Sequence, residues 1–317
     1  MEKFLKSLVD DHGRRIRKLR VSLTDKCNLR CQYCMPVNQK FMNEDKYLTP
    51  DEYYEILKDL CSMGLEEVRL TGGEPLMRQS FVEIVEKISS LPLKKIGLTT
   101  NAVFLDQYLG NLKNAGVIHL NISMDSLQQD VFKKITYSNH FEKVLFNIRL
   151  AASSGFVVKL NMVVMKGIND HEIFDFVELS SDLGIEVRFL ELMRIGYACK
   201  DQSDKFVSAQ ELIAKIKEKF ELKHVLQPLD STSFNYVTET GAQIGFIASE
   251  SQPFCGQCSR WRLSADGFLR ACLLKDDGKI IKNKNALERA AIYQELLGMK
   301  PYLRPLEVGH QMNAIGG

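Results

Sequence analysis

No stretch of this chain approaches the ~18–20 uninterrupted apolar residues of a membrane-spanning helix. Its start, MEKFLKSLVDDHGRRIRKLR, scatters acids and bases through its only apolar patch, so a signal-peptide core is missing too. An excess of charge of one sign is also lacking: 42 Lys and Arg stand against 40 Asp and Glu, a net +2. That balance calls for neither nucleic acid nor an anionic membrane as partner. Any binding of negative charge has to come from a local cluster of basic residues. The expected location is cytoplasmic, where a reducing environment disfavours disulfides.

What is present is an ordinary globular composition, 45% hydrophobic and 26% charged, which excludes a wholly disordered chain. At about 150 residues per domain, 317 residues suggest roughly two domains. Six short runs rich in Val, Ile and Leu alternate with helical patterns: 17–23, 67–71, 95–100, 117–123, 157–164 and 186–191. Such runs suit buried parallel strands. Thr49-Pro50-Asp51-Glu52 and Ser208-Ala209-Gln210-Glu211 are capping boxes that open helices. Gly116, Gly155 and Gly184 fall where a helix ends in a left-handed residue.

Six βα units in succession imply a parallel α/β sheet with right-handed crossovers. Six is short of the eight of a closed barrel, which leaves a partial barrel or a doubly wound sheet. From about residue 222 the alternation stops. The expected division is therefore residues 1–221 for the partial barrel and 222–317 for a smaller C-terminal domain.

Six of the eight cysteines form two groups, Cys27, Cys31, Cys34 and Cys255, Cys258, Cys272. Three thiolates on one short loop can hold three irons of a [4Fe–4S] cubane and leave the fourth iron for a small molecule. Structural zinc usually takes four protein ligands, and CNLRCQYC holds no fourth. Cys199 or His310 would have to complete a zinc knuckle at the second group. The strand ends gather polar and Gly-rich residues at the rim where a parallel barrel does its chemistry. Between Cys258 and Cys272, Arg260 and Arg262 flank Trp261, so both guanidiniums share one face of an extended segment. Paired Arg forks suit phosphate oxygens. Arg20, Arg69 and Lys159 add three cations on strands, where buried charge is unfavourable unless an anion is bound. Cys61, in an apolar helix, and His119, in a strand, read as packed residues.

The cysteine loop followed by TGGEP at the next strand resembles the radical S-adenosylmethionine enzymes. LRVSLTDKCNLRCQYCMP, RLTGGEPLMR, GLTTNA, NISMDSL, KGIND, RFLELM, FCGQCSRWRLSADGFLRACL and the terminal MNAIGG narrow it. In order along nearly the whole chain, they resemble the GTP 3′,8-cyclase (MoaA) family of molybdenum-cofactor biosynthesis. The resemblance implies an incomplete (β/α)6 barrel with a C-terminal cluster-binding domain, two [4Fe–4S] clusters and S-adenosylmethionine. Cys27, Cys31 and Cys34 would hold the first cluster; Cys255, Cys258 and Cys272 the second. Tyr33, Gly73, Ser123 and Met193 fall on the S-adenosylmethionine side, with Gly73 allowing close backbone approach. Arg20, Arg69, Thr99, Lys159, Arg260 and Arg262 fall on the GTP side, and the Gly316-Gly317 tail enters the site.

The implied reaction uses a 5′-deoxyadenosyl radical to abstract hydrogen from ribose C3′. The carbon radical then attacks C8, toward (8S)-3′,8-cyclo-7,8-dihydroguanosine triphosphate. An electron donor and a cyclic pyranopterin monophosphate synthase are the implied partners, and a homodimer is left open. The alternative is a radical enzyme with an auxiliary cluster that modifies a peptide; a non-catalytic electron-transfer protein is a third reading.

Overall fold

The computed structural model describes residues 7–195 and 203–305. The six branched runs form β1 (Lys18–Ser22), β2 (Glu67–Thr71), β3 (Lys95–Thr100), β4 (His119–Ser123), β5 (Val157–Val164) and β6 (Glu186–Glu191). They pair side by side in chain order, every pair parallel. Between them run α1 (Pro50–Ser62), α2 (Phe81–Ser89), α3 (Leu109–Asn114), α4 (Gln129–Thr136), α5 (Phe141–Ser153) and α6 (Ile173–Leu183).

Local signals account for the helix ends. The Thr49 side chain accepts from the Glu52 N–H while Glu52 accepts from the Thr49 N–H at 2.7 Å. Ser208 and Glu211 repeat this at the start of α7 (Ala209–Ile216). Two of the orphan donors at each helix start are thereby satisfied. Gly116, Gly155 and Gly184 adopt φ of +70°, +80° and +63°, the left-handed turn expected of them.

The C-terminal third contributes more to the sheet than its sequence announces. Its strands are β7 (Leu222–Val225), β8 (Phe234–Thr238), β9 (Gln243–Ile247), β10 (Arg260–Leu263), β11 (Phe268–Arg270) and β12 (Lys279–Ile280). β9 lies parallel beside β6, with β8 and β7 antiparallel beyond it. At the opposite edge β10 lies parallel to β1, followed by β11 and β12. One sheet of order β12-β11-β10-β1-β2-β3-β4-β5-β6-β9-β8-β7 results. β10 and β9 are not paired with each other, so the barrel of six βα units stays open. The last helix among the described residues, α8 (Ala286–Gly298), packs on α1, with Arg289 Nε 2.6 Å from Asp59 Oδ2.

Strand period sets the two faces. Leu19, Val21, Val68, Leu70, Leu98 and Leu120 are buried under the helices in one core. Burying each such side chain is worth ~1.5–3 kcal/mol. The alternate residues point inward and carry the polar chemistry. Among the described residues, no helix is long and apolar enough to cross a membrane.

Candidate active site

Cys27, Cys31 and Cys34 occupy the loop just past the C-terminal end of β1. Two backbone bonds tie that loop to the end of α4, Arg30 N–H to Thr136 O and Gln32 N–H to Ile135 O, each 2.9 Å. The turn after β2 presses against it: Gly73 N–H donates to Thr24 O and Glu74 N–H to Lys26 O, both at 2.7 Å. A Cβ on Gly73 would lie 2.2 Å from Lys26 O. Glycine is therefore required here by the contact between the two loops themselves, a role its sequence context alone does not indicate.

Two carboxyls back this thiol group. Glu74 is buried and accepts from Thr100 Oγ1 and Asn101 N–H at 2.7 Å and from Leu76 N–H at 3.1 Å. Burial outweighs those bonds and pushes its carboxyl up to about 7. Asp125 accepts from the Tyr33 hydroxyl at 2.8 Å and Val163 N–H at 2.9 Å, and burial raises it to about 6. Burial, with Glu74 close by, pushes the Cys27 thiol up to about 11. Cys31 is also raised, by burial first and then by Asp125.

The second group lies at the other end of the barrel. Cys255 and Cys258 form a turn that leads into β10, which runs parallel to β1, and Cys272 follows β11. Lys300, 5% exposed, reaches in from just past α8. Its Nζ donates to Cys258 Sγ at 3.3 Å, Arg260 O at 2.7 Å and Ala271 O at 2.9 Å. Arg14, paired with Asp10 at 2.7 Å, donates to Cys255 O at 2.8 Å. Burial opposes ionisation of Cys258, but Arg260 and Lys300 outweigh it and bring the thiol down to about 6.

Between the two groups runs a cavity of about 560 Å³ that both groups line. Arg262, Arg20 and Arg69 stand side by side across β10, β1 and β2. Arg69 has room because β3 carries Gly97, where a Cβ would lie 2.9 Å from its guanidinium. Lys159 and Arg188 both clasp Glu186, Lys159 at 2.6 Å. Burial depresses the pKa of Arg20 well below its usual value, and Arg262, Arg260 and Arg69 add to the effect. Arg69 and Arg262 are each pushed down to about 10, by burial first and then by Arg188 and Arg260 respectively. Crowded, desolvated cations of this kind are relieved by an anionic ligand.

A family model described as the Radical SAM superfamily matches residues 21–180, and one described as Molybdenum Cofactor Synthesis C matches 185–300. A curated GTP 3′,8-cyclase of Synechocystis sp. is 59% identical over 312 residues, covering 98% of this chain and 95% of that protein. The chain belongs to the GTP 3′,8-cyclase family. The Aquifex aeolicus member is 41% identical over 280 residues, covering 87% of this chain and 88% of that one. In fold, the chain is similar to Streptococcus suis SuiB bound to S-adenosylmethionine. The TM-score there is 0.68 at 14% identity, covering 90% of this chain and 69% of that one.

The residues present fit the clusters that a radical S-adenosylmethionine family carries. Each group offers three thiols to the one cavity, the donor set of a cubane, which takes each thiolate on a separate iron. Arg260 and Asn161 line the cavity, and each keeps one buried atom, Nη2 and Oδ1, without a partner among the described residues.

Every expected site residue within the described stretches lines this one cavity. Met193 also packs with Ile195 and Leu274 beside Cys272, so it borders the second thiol group. Cys199, His310, Gly316 and Gly317 lie outside the described residues. Cys61 is half-buried against the core, as expected. Sequence reasoning places Asn161 among the polar positions of the fifth strand without a role, and it missed Arg188, Lys95 and Lys300. Arg188 and Lys95 were legible in principle, because they continue the inward period of strands already identified. Asp125 was noted only as part of a strand end. Nothing in its sequence context marks Lys300.

Proposed function

We propose that the chain is a radical S-adenosylmethionine GTP 3′,8-cyclase. It converts GTP to (8S)-3′,8-cyclo-7,8-dihydroguanosine 5′-triphosphate, the first step of molybdenum-cofactor biosynthesis. One observation carries the reading: two three-thiol groups at opposite ends of a barrel open onto the same cation-walled cavity. When bound, the first cluster and S-adenosylmethionine supply the 5′-deoxyadenosyl radical that abstracts hydrogen.

The chain's own residues do the rest by positioning. Cys27, Cys31 and Cys34 would hold the first cluster, and Cys255, Cys258 and Cys272 the second. Tyr33, held by Asp125, with Gly73, Ser123 and Met193, forms the wall assigned to S-adenosylmethionine. Arg20, Arg69, Lys159, Arg260 and Arg262 would grip the triphosphate, with Thr99 beside them, and Arg188 joins this group. A cation-rich wall suits a nucleotide better than the peptide of the alternative reading. Cytoplasmic location, a separate one-electron donor and transfer of product to cyclic pyranopterin monophosphate synthase complete the proposal.

Anaerobic turnover with reductant, S-adenosylmethionine and GTP deuterated at C3′ tests it. Deuterium in the 5′-deoxyadenosine supports the reading. Unlabelled 5′-deoxyadenosine with intact GTP overturns it.

A further inference from the structure

The cavity does not end at the layer of Arg20 and Arg69. It continues to the start of the strands, where Lys18, Glu67 and Lys95 stand in register on β1, β2 and β3 and line its floor. The charges there are unevenly matched. Lys18 Nζ lies 3.1 Å from Asp230 Oδ2 and 3.6 Å from Glu67 Oε1. Asp230 is further engaged by Arg17 at 2.9 Å and by the Ser259 hydroxyl at 2.6 Å. Both floor acids are thus already committed to other cations.

Lys95 is the exception. It is half-buried, and among the described residues its ammonium makes no hydrogen bond and no ion pair. Glu67 attracts it from beyond ion-pair distance, while Arg69, Lys18 and Arg188 repel it. Burial and those neighbours lower its pKa together. Alongside, His119 on β4 keeps a buried Nδ1 with no partner among the described residues, and Lys95, Arg69 and Lys159 all bear on its ring. A half-buried ammonium among cations, without an acceptor, gains from an anion that completes its shell.

We propose that Lys95 is a substrate-binding residue that takes the terminal phosphate of the nucleoside triphosphate on the floor of the barrel. This rests on the GTP reading above and adds an orientation to it. The triphosphate runs down the β2–β6 side toward the strand starts. Its terminal phosphate lies among Lys95, Arg69 and Arg188, and the nucleoside occupies the space between the thiol groups. Only the full triphosphate reaches Lys95, so this residue discriminates by phosphate number.

Equilibrium binding of GTP, GDP and GMP to the anaerobic holoenzyme tests this with Lys95→Met and Lys95→Arg. Lys95→Met is expected to weaken GTP by about 10–100-fold, the range of a charge-assisted hydrogen bond. GMP binding should stay unchanged, with GDP intermediate, and Lys95→Arg should retain most of the GTP affinity. Equal losses for all three nucleotides, or no loss for GTP, overturn the assignment. If Lys95→Met and Lys95→Gln both lose iron and S-adenosylmethionine cleavage along with GTP binding, Lys95 is structural and the assignment falls. Wild-type holoenzyme that fails to bind GTP removes the substrate reading itself, a result distinct from a Lys95→Met variant that binds GTP normally.

Discussion

The two thiol groups have the same number of donors and differently charged neighbours. Around Cys27, Cys31 and Cys34 the buried neighbours are carboxyls, Glu74 and Asp125, and the thiols of Cys27 and Cys31 are driven up. Around Cys258 they are Arg260 and Lys300, and that thiol is driven down to about 6, while burial raises Cys255 beside it. An acidic surround suits a ligand that brings an ammonium and a sulfonium. A basic surround suits one that brings phosphate. On the proposed function the difference assigns the two ends to ligands of opposite charge, and each end can be broken separately.

The largest effects come from the thiols themselves. Cys31→Ala should abolish both S-adenosylmethionine cleavage and cyclisation and leave about four of eight irons per chain. Cys258→Ala should lose a similar share of iron yet retain cleavage, measured as 5′-deoxyadenosine released. If the two variants lose the same activities, the division of labour is wrong.

The cation wall comes next. Arg262→Ala should weaken GTP by about 10–100-fold, as expected for a lost charge-assisted contact, with cleavage of S-adenosylmethionine spared. Equal loss of both would make Arg262 structural. Lys300→Met probes the basic end while leaving all six proposed cluster thiols in place. It removes the donor to Cys258 and two carbonyls, and it should lower the second group's iron content while the first group's is unchanged. Lys300→Arg should restore part of it.

The smallest effect is a pH dependence at the acidic end. The Glu74 carboxyl titrates near 7 in the fold against an ordinary 4.5, because burial favours its neutral form. Its contribution to stability is thus full below about 4.5 and is lost as pH rises through about 7. Thermal melts across that range should flatten in Glu74→Gln. A slope unchanged by the substitution would place the titration elsewhere.

Much of this was legible beforehand, for physical reasons that differ from part to part. The six strands fall within two residues of the branched runs, since a buried parallel strand has to be apolar over its length. The capping boxes at Thr49 and Ser208 and the glycine turns at 116, 155 and 184 form as read, because each satisfies a local backbone requirement. Arg260 and Arg262 face the cavity while Trp261 is buried against Tyr293, with ring centroids 6.5 Å apart, as the period of two demands. Arg188 lies in the middle of β6, away from the strand end where polar residues mark the rim of a parallel barrel. Lys300 could not be found this way, since its partners lie some thirty to forty positions back, at Ala271 and Cys258.

The sequence alone determined the thiol groups, the elements and which face of each strand is polar, all consequences of spacing along a chain of fixed period. Only the tertiary structure decided that β10 docks in parallel against β1, more than two hundred residues earlier, and so sets the second thiol group at the far end of the barrel. It also decided which buried charges find partners and which, like Lys95, are left facing the cavity. Period is a property of neighbours in the chain. Register between distant strands, and the summed field of the groups they bring together, is a property of neighbours in space.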